Sequence, residues 1–335
     1  MALNKIGTAF AALAASALLL AGCSAGTSEV AGTSDSTGTP VDDSTTIKIG
    51  VSLADQKSMF YIAEADGIRT ACEEEGVECI ILSADNDGQR QVQQVNDLLA
   101  QDIDVLIFTA QDGTAASAGV KAAADAGVPV IAVDQKPQDE KADLLATYIA
   151  TDSIKAAEVL CLWMFEQMGG KGEIGILRGV LGSTAEIERT EGCNRALAAS
   201  PGIKVAAEDV ANWDETESYN ATTNMLQANP NIVAIFGESD AMGIGAAKAA
   251  RDQKREIIAV GIDGFPTQIT AIKEGLTQAT QAQIPFGMGQ MAVRDALKLL
   301  RGETIPKLQL QDTVLVTSAN VNDVDPVDFY GPNVK

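Results

Sequence analysis

Short apolar runs alternate with longer helical stretches from residue 47 onward, and this alternation restricts the fold more than any other feature of the chain. KIGVSL, VECIILSAD and VPVIAVD are typical of buried strands, and the stretches between them have helical periodicity. Such alternation predicts βαβ units with parallel sheets. About a dozen strands follow one another, which is too many for one comfortable sheet of this type. We therefore expect an α/β fold with two lobes.

Two long segments echo each other, and each ends in an aspartate. DVLIFTAQDGTAASAGVKAAADAGVPVIAVD aligns with IVAIFGESDAMGIGAAKAARDQKREIIAVGID if a single residue is inserted. Asp112 then meets Asp240, and Asp134 falls within one position of Asp263. The match favours equivalent units in the two lobes, although common α/β patterning would produce much of it.

Asp134 and Asp263 each follow an apolar strand directly. Ligands of open parallel sheets bind just outside the carboxyl ends of the strands, where loops and helix N-termini converge. A carboxylate at that position accepts hydrogen bonds without a large desolvation cost. We expect the two acids to face one ligand with several hydroxyl groups, in a cleft that closes around it.

The N-terminus has the character of an export signal. Lys5 precedes an alanine-rich apolar stretch, residues 6–20, that is too short for a spanning helix. The following LAGC resembles the bacterial lipobox, which implies a signal peptide over 1–22 and a lipidated Cys23; an ordinary signal peptide is the alternative. Residues 23–46 then form the anchor and a flexible polar linker. This predicts a cell-envelope protein held by a lipid anchor on the outer side of the cytoplasmic membrane.

Composition excludes several classes of function. Acidic residues outnumber basic ones 46 to 24, and the net charge of -22 argues against nucleic acid or an anionic membrane surface as a partner. The chain has no histidine, which excludes Ser-His and Cys-His nucleophiles and histidine-based metal sites. We expect neither a metal nor a cofactor.

Four cysteines remain after Cys23, an even number suited to an oxidising compartment. Four cysteines allow three pairings. The pairing of Cys72 with Cys79 and of Cys161 with Cys193 is favoured because it keeps each bridge inside one predicted lobe. Four buried free thiols are the alternative.

Five segments in a fixed order behind the lipobox carry a family resemblance: MFYIAEADGI, VPVIAVD, GSTAEIERTEGC, NWDETE and VGIDGFP. They resemble the periplasmic sugar-binding proteins that serve ABC importers, in the ribose and galactose binding-protein family. The resemblance implies a type I periplasmic binding protein, in which two Rossmann-like lobes are joined by three hinge crossings. It also implies a monomer without catalysis that delivers its ligand to a membrane permease. The implied lobes are 47–151 plus 284–312 and 152–283 plus 313–335.

The same resemblance implies a set of binding residues. Phe60 and Tyr61 match aromatic platforms for a sugar ring, with a place in the helix core as the alternative, and Trp213 matches an aromatic position of the opposite lobe. Asp134 and Asp263 match the family's two hydroxyl-binding acids.

Two more polar residues match the family. Arg189 matches an arginine that reaches the ligand, and the alternative is an ion pair with Glu186 or Glu191 on the same helix. Gln283 matches a glutamine near a hinge crossing, and the alternative is a solvent-facing strand residue.

Several positions depart from the ribose binders of the family, and Lys57 and Ser58 stand where asparagines are common. Gln135 and Ile187 stand where arginines are common, and Ser239 replaces a usual asparagine. Gln135 and Ser239 remain candidates for ligand binding. Because two guanidinium groups are lost, the cleft is less cationic than a ribose site. Hexoses, inositols, sugar alcohols and amino sugars stay open as ligands.

The prediction is an extracytoplasmic solute-binding lipoprotein that captures a small sugar or polyol between its lobes and delivers it to the permease of an ABC importer. A sensory protein that feeds a chemoreceptor or sensor kinase would share the fold. A glycoside hydrolase with paired carboxylates is a further alternative, but nothing marks either acid as a proton donor.

Overall fold

The computed structural model describes residues 46–334, which belong to one compact unit. The predicted signal peptide, the lipidation site Cys23 and the linker up to residue 45 lie outside the described residues. Among the described residues no helix is both long and apolar enough to cross a bilayer. The strands are β1 (Lys48–Leu53), β2 (Glu78–Ser83), β3 (Val105–Phe108), β4 (Val130–Val133), β5 (Thr147–Thr151), β6 (Gly172–Arg178), β7 (Ile203–Val210), β8 (Ile232–Gly237), β9 (Ile258–Asp263), β10 (Ala279–Ala282), β11 (Leu308–Gln311) and β12 (Val314–Thr317). The α-helices are α1 (Met59–Glu75), α2 (Gly88–Leu99), α3 (Gly113–Asp125), α4 (Ser153–Gln167), α5 (Thr184–Ala199), α6 (Glu215–Ala228), α7 (Asp240–Asp252), α8 (Pro266–Lys273), α9 (Pro285–Leu300) and α10 (Val327–Tyr330).

The strands form two six-stranded sheets with the same internal order. The first sheet runs β11-β5-β4-β3-β1-β2 and is parallel throughout. The second runs β12-β10-β9-β8-β6-β7 and is parallel except for the edge strand β12, which is antiparallel to β10. Apolar cores lie on both faces of each sheet. The predicted α/β fold with two lobes is therefore confirmed.

The internal echo corresponds to real equivalence of strands, because β3 and β8, and likewise β4 and β9, hold the same places in their sheets. The aligned Phe108 and Phe236 are both fully buried. The aligned aspartates differ in role. Asp112 caps α3 by accepting two backbone N–H groups, whereas α7 is capped by Ser239 and Asp240 is its first residue.

Six helices begin directly after a polar residue whose side-chain oxygen accepts backbone N–H groups of the first turn. Such caps satisfy amides that have no partner inside the helix. Each of these residues stands between a strand and the helix that follows it, so most of these chain reversals lie at the carboxyl edges of the sheets. The capping residues are Asp87, Asp112, Asp152, Ser183, Asp214 and Ser239.

The chain passes between the two lobes three times, after β5, after β10 and between β11 and β12. The first two passages are tied together, since the Thr151 hydroxyl donates to Gln283 Oε1 over 2.7 Å. The third passage is linked to the first by an ion pair between Lys155 Nζ and Asp312 Oδ1 at 2.7 Å.

Each lobe contains one disulfide. Cys72 at the end of α1 is bonded to Cys79 in β2, with 6.3 Å between the Cα atoms. Cys161 in α4 is bonded to Cys193 in α5, with 5.5 Å between the Cα atoms. These are the two pairs that keep each bridge within a lobe, and both sulfur pairs adjoin an apolar core.

The segment after β12 packs against both lobes. Phe329 and Tyr330 share an apolar cluster with Ala63 of α1 and Ile269 of α8. The resemblance assigned this segment to the second lobe alone. Its contact with α1 follows from the aromatic pair, which fills the gap between the two lobes and is almost fully buried there.

Candidate ligand-binding cleft

A cavity of about 640 Å³ lies at the carboxyl ends of the strands and is walled by residues of both lobes. All nine residues that the sequence nominates for ligand binding line it. They are Phe60, Tyr61, Asp134, Gln135, Arg189, Trp213, Ser239, Asp263 and Gln283.

Asp134 follows β4 and occupies the centre of a tight turn. Its φ is 60°, and the Gln135 N–H donates to the Val133 carbonyl over 2.6 Å. The Asp134 N–H donates to the Ile149 carbonyl at 2.9 Å, and the Tyr148 hydroxyl donates to the Asp134 carbonyl at 2.7 Å. Residues other than glycine adopt this backbone region only at a cost, so these bonds hold a strained residue at the cavity wall.

The Asp134 carboxylate is held only by uncharged donors. Its Oδ2 accepts from the Tyr61 hydroxyl at 3.2 Å and from Gln135 Nε2 at 3.3 Å. Burial raises the pKa of Asp134, and the nearby Arg189 guanidinium opposes that rise. The carboxylate therefore has one oxygen committed to neutral partners and no direct cationic contact.

The Asp263 carboxylate ends β9 and is held more firmly. Its Oδ1 accepts from Gln283 Nε2 at 2.8 Å and lies 3.7 Å from Arg189 Nη1. Its Oδ2 accepts from the Asp240 N–H at 3.2 Å, and its carbonyl accepts from the Tyr330 hydroxyl at 2.7 Å. Burial raises the pKa of Asp263 as well, with Arg189 as the main opposing influence.

Arg189 reaches the cavity from α5. Its Nη1 donates to the Glu238 carbonyl at 2.5 Å, and its guanidinium carbon lies 5.5 Å from the centre of the Trp213 ring. The guanidinium therefore stacks on an aromatic ring and faces Asp263, while its buried Nε has no hydrogen-bond partner.

The alternative pairing of Arg189 along its own helix is wrong. Glu186 is paired with Arg178, and Glu191 is paired with Arg195 at 2.8 Å. Both glutamates are thus occupied by other cations, which leaves Arg189 available to the cavity.

Three aromatic side chains contribute differently to the wall. Phe60 is almost fully buried and packs in the core of the first lobe, so its predicted alternative role as a core residue also applies. Tyr61 is half-buried and meets Phe60 edge to face, with 5.4 Å between ring centres. Trp213 has a φ of 64°, which is unusual for a bulky residue. Its ring lies against Gly179, where a Cβ would approach Cη2 to 1.9 Å.

Gln283 and Ser239 are wall residues that also form hydrogen bonds with the strands and helices behind the cavity. Gln283 is 1% exposed, so the solvent-facing alternative is wrong, and it links Thr151 of the first passage to Asp263. Ser239 caps α7, accepting the Met242 N–H at 3.4 Å.

Further acids are buried behind the carboxylates of the wall, among them Glu64, Asp240 and Glu238. Burial raises the pKa of Glu64 to about 8, against the opposing hydrogen bond from the Thr109 hydroxyl. Burial and the neighbouring Asp263 raise the pKa of Asp240, whose carboxylate accepts from the Phe265 N–H at 2.9 Å.

Sequence reasoning missed several residues of the wall. Asp55 is the most informative, because it lies two residues after the end of β1, close to the strand-end position that Asp134 holds after β4. Its Oδ1 accepts the N–H groups of Lys57 at 2.6 Å and Ser58 at 2.8 Å. The other missed residues are Lys57, Ser58, Met59, Asn86, Gln111, Val180, Ser183, Ala185, Asn212, Asp214, Ala241 and Phe265.

Comparison with known proteins identifies the family. A family model described as a periplasmic binding protein domain matches residues 49–304. The chain belongs to the periplasmic binding protein family.

Individual relatives of this periplasmic binding protein agree with that assignment. The xylitol-binding protein of Mycolicibacterium smegmatis is 32% identical over 324 residues, covering 95% of this chain and 87% of the relative. The ribose import binding protein RbsB of Bacillus subtilis is 30% identical over 259 residues, covering 77% of this chain and 83% of the relative. A solute-binding protein of an ABC transporter from Bacillus halodurans, solved with bound myo-inositol, has a TM-score of 0.79 at 27% identity and covers 84% of this chain and 98% of its own.

The wall of this binding protein carries more acid than base. Asp55, Asp134 and Asp263 are each at least nine-tenths buried, whereas Arg189 is the one buried cation among the described wall residues. Buried charges are normally paired, and Arg189 lies beside Asp263 of the second lobe. The first-lobe side of the wall therefore has an excess of buried negative charge.

Proposed function

We propose that the protein captures a small sugar or polyol in the cleft and delivers it to the permease of an ABC importer. The observation that carries the proposal is the pair of strand-end carboxylates, Asp134 and Asp263, which reach one cavity from opposite lobes. A ligand with hydroxyl groups at both ends would satisfy both acids and hold the lobes together.

The size and lining of the cavity support a ligand of this class. A volume of about 640 Å³ falls within the range of small-molecule sites. Tyr61 and Trp213 offer ring faces to the C–H side of a sugar, while the carboxylates accept from hydroxyl groups. The guanidinium of Arg189 donates to ligand oxygens.

Charge narrows the ligand class further. An anionic ligand would meet three buried acids, Asp55, Asp134 and Asp263, against one buried cation, Arg189, and the exposed Lys57, so acidic sugars are disfavoured. A neutral polyol suits the wall, and a polyol with a protonated amine suits it better because the amine compensates the unpaired acids of the first lobe.

Binding is tested by thermal shift and isothermal titration calorimetry with monosaccharides, sugar alcohols, inositols and amino sugars. We expect at least one compound to raise the melting temperature. Asp134→Ala should abolish the shift, and Asp97→Ala, which removes an exposed acid on α2, should keep it. If no compound of these classes binds, the proposed function is wrong.

Transport and anchoring need their own tests. Deleting the gene in its natural host should abolish uptake of the labelled ligand. If uptake persists while ligand-dependent signalling is lost, the protein is a sensor. Cys23→Ser should release the protein from the membrane fraction if Cys23 carries the lipid anchor.

The non-catalytic assignment is checked separately. Incubation of the protein with glycosides of the bound sugar should leave them intact. Release of a sugar at a rate proportional to protein concentration would contradict pure binding.

A further inference from the structure

Gln135 was nominated as a ligand contact, but both ends of its side-chain amide are occupied by protein. Its Oε1 accepts the Thr184 N–H at 2.8 Å, and its Nε2 donates to Asp134 Oδ2 at 3.3 Å. Gln135 belongs to the first lobe and Thr184 begins α5 of the second. The amide therefore bridges the two lobes.

Thr184 receives two more bonds from the first lobe. Its Oγ1 accepts from Gln138 Nε2 at 2.7 Å and from the Lys136 N–H at 3.3 Å. Thr184 is 2% exposed and sits at the first helical position, where a backbone N–H has no partner within the helix. Three bonds from one short segment thus converge on a single residue of the facing lobe. We call Gln135, Lys136, Gln138 and Thr184 the Thr184 latch.

The latch joins the two segments that carry the binding groups. Gln135 is adjacent to Asp134, and Thr184 lies on the same helix as Arg189. None of its bonds needs a ligand atom, and all three cross from one lobe to the other, so they exist only when the lobes are close. They therefore favour the closed arrangement whether or not a ligand is present.

We propose that the Thr184 latch holds a measurable fraction of the protein closed before any ligand arrives, and that Gln135 is a positioning residue in it. The inference rests on the proposed function only in assuming that the lobes open and close. Closing before binding raises the apparent affinity in proportion to the closed fraction.

The test removes the latch without damaging α5. Thr184→Pro deletes the N–H and the hydroxyl, and proline is well tolerated at the first helical position. The preceding Ser183 already has the extended backbone that proline requires, with φ -73° and ψ 152°. Thr184→Val deletes the hydroxyl alone and keeps the shape. Thr114→Val, at an exposed threonine in the first turn of α3, is the matched control.

The measurement is the distance between spin labels in the ligand-free protein, by double electron–electron resonance. Cysteines for the labels replace Lys121 in α3 and Gln227 in α6, two exposed residues on different lobes. We expect the closed-to-open ratio to fall about tenfold in Thr184→Pro, which loses all three bonds, and about fivefold in Thr184→Val, which loses two; each bond then contributes a factor of about two, the lower end of its usual range. Thr114→Val should match the parent protein.

An unchanged distance distribution in Thr184→Pro would overturn the inference, and so would a parent protein with no closed fraction. Because the readout needs no ligand, it stands apart from the screen. If the spin-label distances show the latch but no sugar or polyol binds, this inference stands and the proposed function is wrong. If a sugar binds but Thr184→Pro does not change the distances, the proposed function stands and this inference is wrong.

Discussion

Asp134 and Asp263 hold equivalent places in the two lobes, yet the protein supports them unequally. Each follows or ends the third strand of its sheet, has a positive φ, and accepts a tyrosine hydroxyl at its carbonyl over 2.7 Å. The carboxylate of Asp263 meets Arg189, an amide side chain and a backbone N–H. That of Asp134 meets two neutral side chains.

The difference indicates that the two lobes present their carboxylates to a ligand in different electrostatic environments. In the second lobe, the Asp263 carboxylate has a cation and hydrogen-bond donors beside it in the protein itself. In the first lobe, the Asp134 carboxylate contacts neutral donors only. Repeating a fold thus repeats the position of a functional group without repeating its electrostatic environment.

The largest loss of folding stability should come from removing Arg189, the cation beside Asp263 in the second lobe. Arg189→Ala leaves Asp263 buried without its partner, and we expect the free energy of unfolding to fall by about 3 kcal/mol. Arg195→Ala is the control, because its exposed pair with Glu191 on the same helix is worth at most about 0.5 kcal/mol. Urea denaturation measures both. Equal losses would show that Asp263 does not rely on Arg189.

The two tyrosines provide the next comparison. Tyr148→Phe removes the donor to the Asp134 carbonyl, whereas the Asp263 carbonyl keeps the Gln283 N–H when Tyr330→Phe is made. We expect losses of about 2 and about 1 kcal/mol respectively, since a buried carbonyl without a donor costs more than a lost bond. Urea denaturation of both variants measures the two losses in free energy of unfolding. A larger loss for Tyr330→Phe would contradict the argument that the Asp134 carbonyl depends on a single donor.

The buried Glu64 should make stability depend on pH in an unusual direction. Its pKa is raised from 4.5 to about 8 in the folded protein, so between these values the folded state keeps a proton that the unfolded state has released. The contribution of protonated Glu64 to the free energy of unfolding is fully present below pH 4.5 and is lost as the pH rises to 8. The slope approaches about 1.4 kcal/mol per pH unit inside that window.

Substitution separates the contribution of Glu64 from that of other groups. Glu64→Gln should flatten the decline of unfolding free energy between pH 5 and pH 8, in urea titrations at several pH values. Glu73→Gln, at an exposed position of the same helix, should leave it unchanged. A decline of the same slope in Glu64→Gln would assign it to another acid, such as Glu238, whose pKa burial raises to about 7.

The last comparison concerns the Asp134 carboxylate and its preference for a cationic ligand. Calorimetry with pairs that differ only by an amine in place of a hydroxyl, glucamine with sorbitol and serinol with glycerol, should favour the amine about tenfold. Asp134→Asn should remove that preference while Asp263→Asn retains part of it. Preference for the neutral member in every pair that binds would show that the first-lobe acids need no cation.

The fold and much of the cleft were predictable because strand ends and helix caps are local properties of the sequence. Asp55 is less evident from the sequence, because Ala54 separates it from the end of β1. The hydrogen-bond partners of the individual side chains could not be predicted. The amide of Gln135 is consumed by Thr184, a residue of the other lobe, and no spacing along the chain encodes that contact. The neutral surroundings of Asp134 likewise arise only from tertiary packing.

The interleaved course of the chain has a consequence for synthesis. Helix α9 and strand β11 complete the first lobe, but they follow the whole central part of the second lobe in the sequence. A chain that emerges N-terminus first therefore has the five parallel strands of its second sheet available before the first core can close. The second lobe is therefore nearly complete before α9 and β11, the last elements of the first lobe, have been synthesised. Because each lobe is built from separate parts of the sequence, neither can be produced alone as a continuous fragment.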